Sequence, residues 1–456
     1  MTYEEFYEKA EKKILTLSKK ATSNDVIENE LYTKHKVFRG LRDLNGNGVV
    51  CGLTKISEIK ASTKDAEGNK IPAEGELFYR GYNVKDLVNG FFLEERFGFE
   101  ETIYLLLSGK LPSKKEIKDF SKLVSGFRSL PDSFVRDIIL KATNNDMMNM
   151  LARSVLTLYS YDSKANDISV DNVFRQVIEL ISKFPLLAVY SYQAYNHYYN
   201  KGNLVIRNPR KDYSIAENIL YMLHGTNKFT KLEARALDLC LVLQAEHGGG
   251  NNSTFTTHVV TSSGTDTYSA VVASLASLKG PRHGGAALKV VEMMKHIKAN
   301  IKDCKDETVT DYLTKMLNKE VFDKTGLIYG IGHAVYSLSD PRVDVLKSIV
   351  KDLAHANGWD EDFELYDKIE KLAPEIISNK RKMYKGVSAN VDFYTGLIYQ
   401  MIRIPTEMYI TLFAIARVVG WGAHRIEELA NNGKIIRPAY IAVSPRQDYK
   451  KITDRE

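Results

Sequence analysis

The chain has 456 residues, 44% of them hydrophobic and 26% charged, which excludes disordered and fibrous classes and exceeds what one ordinary core holds, so two domains are expected. Its 63 basic and 57 acidic residues leave a formal net charge of +6. That mild excess suits a polyanionic small molecule as well as nucleic acid, and solubility alone accounts for it equally.

The N-terminal stretch MTYEEFYEKAEKKIL is charged throughout and has no apolar h-region, so no signal peptide is read there. Strand patterns are few; the clearest, GVVCGLTKISEIK and GELFYRGYNV, placed between Gly48 and Gly81 and separated by a polar, glycine-containing connector, predict small hairpins near the N-terminus. The remainder reads as helix. Ser113 and Glu116 form a capping-box pattern ahead of Ile117, Phe120, Val124 and Phe127, which share one helical face. Thr230 and Glu233 repeat the pattern before a helix apolar on nearly all sides, expected to run to the glycines after His247. YSAVVASLASLKG is a second all-round apolar helix, ending at Gly280-Pro281. A long apolar helix follows Pro405. No apolar run reaches 18 residues, so no membrane span is expected. No βαβ alternation precedes GIGHAV, so it is not read as a nucleotide fingerprint. Three scattered cysteines, Cys51, Cys240 and Cys304, argue against a disulfide framework or a cysteine-rich zinc site and suit a cytoplasmic protein. The expected fold class is mainly α. A large helical domain spans 1–283 and resumes at 391–456, and a smaller, more charged domain is inserted at 284–390.

Three histidines sit beside glycines at the ends of buried-looking elements: His247 in AEHGGGNNS, His283 in GPRHGGA and His333 in YGIGHAVY. Glycine permits sharp turns and close ligand approach. Taken alone, any one of these histidines reads rather as a hydrogen-bonded structural residue, but three in one context favour a site. They lie 36 and 50 residues apart, which is not the short spacing of a zinc site. Arg417 falls inside an apolar helix. Burial of a permanent cation requires an anion, either an internal carboxylate or a carboxylate ligand. Arg342 in DPRVD and Arg437 in KIIRPAY are further candidates. Asp392 in SANVDFYTG reads either as the N-cap of a helix from Phe393 or as a general base.

Taken in order, FYRGYNVKDL, FEETIYLLLSGKLP, AENILYMLHG, AEHGGGNNSTFTTHVV, SLKGPRHGGA, GIGHAVYSLSDPR, NVDFYTGLIYQMIRIPTEMY and FAIARVVGWGAHRIEE resemble citrate synthase of the common bacterial and eukaryotic (Si) type, from about Gly48 to Arg437. The resemblance implies a two-domain helical homodimer whose smaller domain closes over the site. It implies a cytoplasmic transferase of the tricarboxylic acid cycle that condenses acetyl-CoA with oxaloacetate and water, giving citrate and CoA. It further implies no cofactor, metal, nucleic acid or membrane. By the same resemblance His283 would bind the thioester carbonyl, Asp392 would take a methyl proton and His333 would donate to the keto oxygen. His247, Arg342 and Arg417 would hold oxaloacetate, with Arg437 reaching it from the partner subunit. Gly330, Ile331 and Gly332, together with Lys382 and Lys385, would contact CoA. The sequence departs from the common pattern at Gln244, where many members have histidine, at Ala287, where many have asparagine, and in RPAYIA from Arg437. Rival readings are a 2-methylcitrate synthase using propionyl-CoA, a metal-dependent hydrolase built on the three histidines, and an inactive helical scaffold.

Overall fold

The computed structural model describes residues 3–43, 48–333, 335–381 and 386–455. They form two compact units, Met1–Leu53 and Thr54–Glu456. The first holds α1 (Tyr3–Asp25) and α2 (Asn29–Lys34), followed by a single 3₁₀ turn at Arg39–Leu41 and a bridge between Arg42 and Gly48.

The second unit opens with an antiparallel sheet in the order β1 (Ser57–Lys64), β2 (Lys70–Tyr79), β3 (Tyr82–Asn83). Strand therefore begins later than expected, at Ser57, and extends further, because the β1–β2 ladder runs up to Lys64–Lys70. The polar connector closes the hairpin: Gly68 takes a positive φ of 83°, and the Asp65 carboxylate accepts the Asn69 N–H at 2.7 Å.

Helices make up nearly all the rest: α3 (Val84–Leu93), α4 (Phe99–Ser108), α5 (Lys114–Gly126), α6 (Met147–Leu158), α7 (Val170–Asn200), α8 (Ile215–His224), α9 (Lys231–Gln244), α10 (Asn252–Thr261), α11 (Thr267–Lys279), α12 (Ala286–Asn300), α13 (Asp306–Leu317), α14 (Pro341–Asn357), α15 (Asp360–Arg381), α16 (Val391–Met401) and α17 (Tyr409–Ala430). The fold is mainly α with a small sheet, as expected. Both capping boxes form, at Ser113/Glu116 and at Thr230/Glu233. Among the described residues no helix is long and apolar enough to cross a membrane.

The core gathers on α17, which is buried from Tyr409 to Arg425 apart from two positions and packs against α4, α7, α9, α10 and α11. The apolar α9 lies beside it, and its few polar groups are occupied: buried Asp238 accepts the N–H groups of Gly98 and Phe99, at 2.7 and 3.3 Å, capping α4 from outside. α9 stops at Gln244, three residues short of the expected end. Its last carbonyls and those just beyond are taken by long-range donors: Tyr79 Oη lies 3.0 Å from Val242 O and 3.1 Å from Glu246 O, Arg417 Nε donates to Gln244 O at 2.7 Å, and Gly420 N–H to Ala245 O at 3.2 Å. Residues 245–247 are thereby drawn into a turn held against α17.

Candidate active site

The turn after α9 carries His247. Its ring is buried and stacks edge-on against His333 and Tyr336, with centroids 5.3 and 5.6 Å apart. Its Nε2 is buried with no hydrogen-bond partner among the described residues. Burial first, then the charges of Arg342, His333 and Arg417, hold this imidazole well below the usual histidine range, so it is neutral at pH 7.

His333 follows Gly332, whose φ of 107° suits glycine. The His333 Nδ1 accepts the backbone N–H groups of Val335 and Tyr336, each at 3.0 Å. An Nδ1 that accepts carries no hydrogen, so in the neutral ring Nε2 is the donor. The preceding loop is tied to the chain entering α16. Ile331 bridges Ala389, Gly332 N–H donates to Ser388 O at 2.7 Å, Asn390 N–H to Gly330 O at 2.9 Å, and Asn390 Nδ2 to Gly332 O at 2.9 Å. Gly330 has a φ of 80°, and a Cβ there would lie 2.7 Å from the Phe393 ring. Of the expected CoA contacts, Gly330, Ile331 and Gly332 thus form one bonded loop; Lys382 and Lys385 lie outside the described residues.

Asp392 occupies the first turn of α16 but does not cap it. The cap is Asn390, whose side chain accepts the Asp392 N–H at 3.1 Å, and the helix starts at Val391 rather than Phe393. The Asp392 carboxylate makes no hydrogen bond among the described residues. Burial, and next after the opposing Arg342 the nearby Asp340 charge, raise its pKa to about 6, while Arg342 and Arg417 pull it down.

The two buried arginines differ. Arg342, at the start of α14, is bidentate to the helix's N-cap Asp340, with Nε–Oδ1 at 2.9 Å and Nη2–Oδ2 at 2.7 Å. The internal carboxylate pair weighed for Arg417 is therefore found at Arg342. Arg417 has no ion pair among the described residues. Its Nε binds the α9 C-terminal carbonyl, its guanidinium lies 4.7 Å from the centre of the Phe413 ring, and Nη1 is buried without a partner among the described residues. Burial lowers its pKa to about 10, against the opposing charge of Glu246. A cation that remains charged, with an unused buried N–H, beside a neutral histidine with an unused ring nitrogen, is an arrangement suited to an anionic, hydrogen-bonding ligand.

His283 lies in the turn between α11 and α12. Its Nε2 is 3.0 Å from Ser253 Oγ, which also accepts Trp421 Nε1–H at 3.1 Å. The ring's pKa is lowered to about 4, by burial first and Arg417 second. The next helix, α12, begins three residues on, at Ala286, with Gly285 as its cap. Ala287 is buried against α16, where a Cβ on Gly396 would come 3.0 Å from the Ala287 carbonyl oxygen. Gln244 accepts the Tyr399 hydroxyl at 3.2 Å, and Tyr399 senses the Asp392 charge.

Arg437 is not with the others. It is exposed in the extended segment after α17, next to Ile436, whose N–H donates to Ser262 Oγ at 3.0 Å at the far end of α10 from Ser253. Sequence reasoning missed Asp340, Glu246, Ser253 and Tyr336. Only Asp340 carried a local signal, an Asp-Pro pair opening a helix. Among the described residues no group of three or more His, Cys, Asp or Glu side chains is placed to hold a metal ion.

Residues 43–439 match the family described as "Citrate synthase, C-terminal domain". The chain is 33% identical to the citrate synthase of Synechocystis over 409 residues, covering 89% of this chain and 93% of that one. It is 30% identical to 2-methylcitrate synthase 1 of Corynebacterium glutamicum over 407 residues, covering 88% and 95%. Among solved structures it superposes on the citrate synthase of Pyrobaculum aerophilum with a TM-score of 0.73 at 28% identity, covering 90% and 95%. It superposes on that of Thermoplasma acidophilum, a ternary complex with carboxymethyl coenzyme A and oxaloacetate, with a TM-score of 0.72 at 28% identity, covering 91% and 99%. Fold and relatives together define an enzyme that transfers an acyl group. The chain belongs to the citrate synthase family.

Proposed function

We propose that this enzyme condenses acetyl-CoA with oxaloacetate and water, giving citrate and CoA, as the entry step of the tricarboxylic acid cycle. The observation that carries this reading is the pair of buried polar atoms without a partner among the described residues, Arg417 Nη1 and His247 Nε2, with the charges of Arg342 and His333 close by. Oxaloacetate brings two carboxylates for the guanidinium groups and a keto oxygen for the His333 Nε2–H.

Asp392 takes a proton from the methyl of acetyl-CoA. A thioester α-proton is too weakly acidic for a carboxylate alone, so a donor must stabilise the enolate oxygen as charge develops. Neutral His283 serves there. Its Nε2 is held by Ser253 Oγ, which also accepts the Trp421 Nε1–H and donates to Asn251 Oδ1 at 2.9 Å. The enolate carbon attacks the keto carbon, and His333 delivers a proton to the new hydroxyl. Water then cleaves the thioester, releasing citrate and CoA. Segment 284–390 acts as the small domain that closes over the reactants and excludes water until the bond has formed. The loop 330–332 covers the CoA side.

The active form is proposed to be a homodimer. Ile436 is anchored at one end of a ten-residue helix, about 15 Å long, whose other end carries Ser253 against His283. Arg437 therefore suits a site on a second copy better than its own.

CoA thiol release, followed with and without oxaloacetate, tests the reading. Asp392→Ala should retain oxaloacetate binding yet lose CoA release by about 10²–10⁴-fold. Release near the wild-type rate removes the proposed base. The relative from Corynebacterium glutamicum favours a second reading, propionyl-CoA as acyl donor. One methylene shifts pocket affinity by only about 1–3 kcal/mol, so a higher kcat/KM for propionyl-CoA in the same assay would replace the first reading with the second.

A further inference from the structure

Behind the proposed oxaloacetate pocket runs a line of four side chains that the reaction above does not use. Glu428 Oε2 meets His258 Nδ1 at 2.8 Å, His258 Nε2 meets His424 Nδ1 at 3.0 Å, and His424 Nε2 meets Glu246 Oε1 at 3.0 Å. The line starts at partly exposed Glu428 and His258 and ends at His424 and Glu246, both fully buried. Glu246 Oε1 also accepts the Ser57 hydroxyl at 2.9 Å and the Gly248 N–H at 2.6 Å, which fixes the turn that carries His247.

The hydrogens can be counted. Each of the three contacts needs one, an ionised carboxylate brings none, and two neutral imidazoles bring two. Glu246 is ionised: burial opposes this, but His424 and Arg417 hold its pKa down at about 2. With both carboxylates ionised, the line is complete only when the two rings together carry three hydrogens, one imidazolium's worth of charge between two negative ends.

We propose that Glu428, His258, His424 and Glu246 form a positioning relay behind the oxaloacetate turn, completed by a third proton shared between His258 and His424. Its inner end gives Arg417 a counter-charge without occupying the guanidinium, since Glu246 makes no ion pair with Arg417 and the arginine's Nη1 stays unused. The charged groups facing the rings and Glu246 are Glu427, 3.8 Å from His424 Nδ1 and bonded through its other oxygen to the Lys55 N–H, together with Arg80 and Arg417. Burial and then His424 lower the His258 pKa, against Glu428, so the third proton leaves as pH rises through the acid side of neutrality. His258 then keeps its Nε2–H toward His424, the inner bond to Glu246 survives, and the outer contact to Glu428 opens.

The bearing on oxaloacetate rests on the function proposed above; the proton count does not. The full chain labelled with ¹⁵N-histidine, titrated by NMR from pH 5 to 8.5, tests the count. In the wild type the His258 and His424 resonances should move together through the loss of one proton. In Glu428→Gln the amide supplies the third hydrogen itself, so that step should disappear. Two rings titrating independently, or an unchanged step in Glu428→Gln, overturn the proposal. For positioning, His424→Gln keeps an amide N–H near the Nε2 position and His424→Leu does not. The Leu variant should raise the KM for oxaloacetate about tenfold or more with kcat within about twofold, and the Gln variant should restore most of it. A loss of kcat alone, or an unchanged KM in the Leu variant, overturns the positioning role. Should the wild type release no CoA with oxaloacetate, the proposed function fails while the NMR titration still decides the relay.

Discussion

Asp392 sits between opposing fields: burial and Asp340 raise its pKa, and Arg342 and Arg417 lower it, leaving a value of about 6. A general base must be ionised, so kcat/KM should rise from pH 5 to 7 with a midpoint near 6, and a flat profile would argue against Asp392 as the base. The same shift affects stability. The folded-state pKa lies above the ordinary carboxylate value, so ionisation costs the folded state; the cost is absent below about pH 4 and complete above the folded pKa. Asp392→Asn should therefore unfold at higher urea at pH 8, by about 3 kcal/mol, with little gain at pH 4. His283, with its pKa at about 4, stays neutral across that range and should add no limb to the profile.

Between elements, the contact that shapes the oxaloacetate turn is that of α17 with residues 245 and 246. A Cβ on Gly420 would lie 2.2 Å from Glu246 Oε2 and 2.6 Å from Ala245 O. Gly420→Ala should lower stability by about 2–4 kcal/mol and raise the KM for oxaloacetate, measured by urea unfolding and steady-state kinetics. Sequence patterns captured what was local here. The capping boxes at Ser113 and Thr230 formed, because a cap needs only residues three positions apart. The early end of α9 was not legible, because Arg417 and Gly420, some 175 residues away, take its carbonyls. Asp392 was weighed as a cap for a similar reason: Asn390 and Asp392 are both good caps, and only the loop bonded to Asn390 decides between them.

Across the whole molecule, the glycine-flanked histidines were legible as a group, and the rings of His247 and His333 do meet. Their carboxylate neighbours were less so: among 57 acidic residues, Asp340 carries only the Asp-Pro mark of a helix start, and the burial of Asp340 and Glu246 arises only from packing. Arg437 stands apart in the single chain, so its role can be read only in an assembly. Arg437→Leu and Asp392→Asn, each inactive alone, should regain CoA release when their subunits are exchanged, since one mixed site would then be whole. Absence of recovery, with exchange verified by mass, would confine each site to one chain.

The crosswise bonding of 330–332 to 388–390 has one more consequence. The proposed acid, His333, leaves one side of that short ladder, and the proposed base, Asp392, leaves the other. The ladder is thus a clasp at the seam where segment 284–390 hands over to α16: a closure that moved the acid's loop away from the base's helix start would have to unfasten these bonds first.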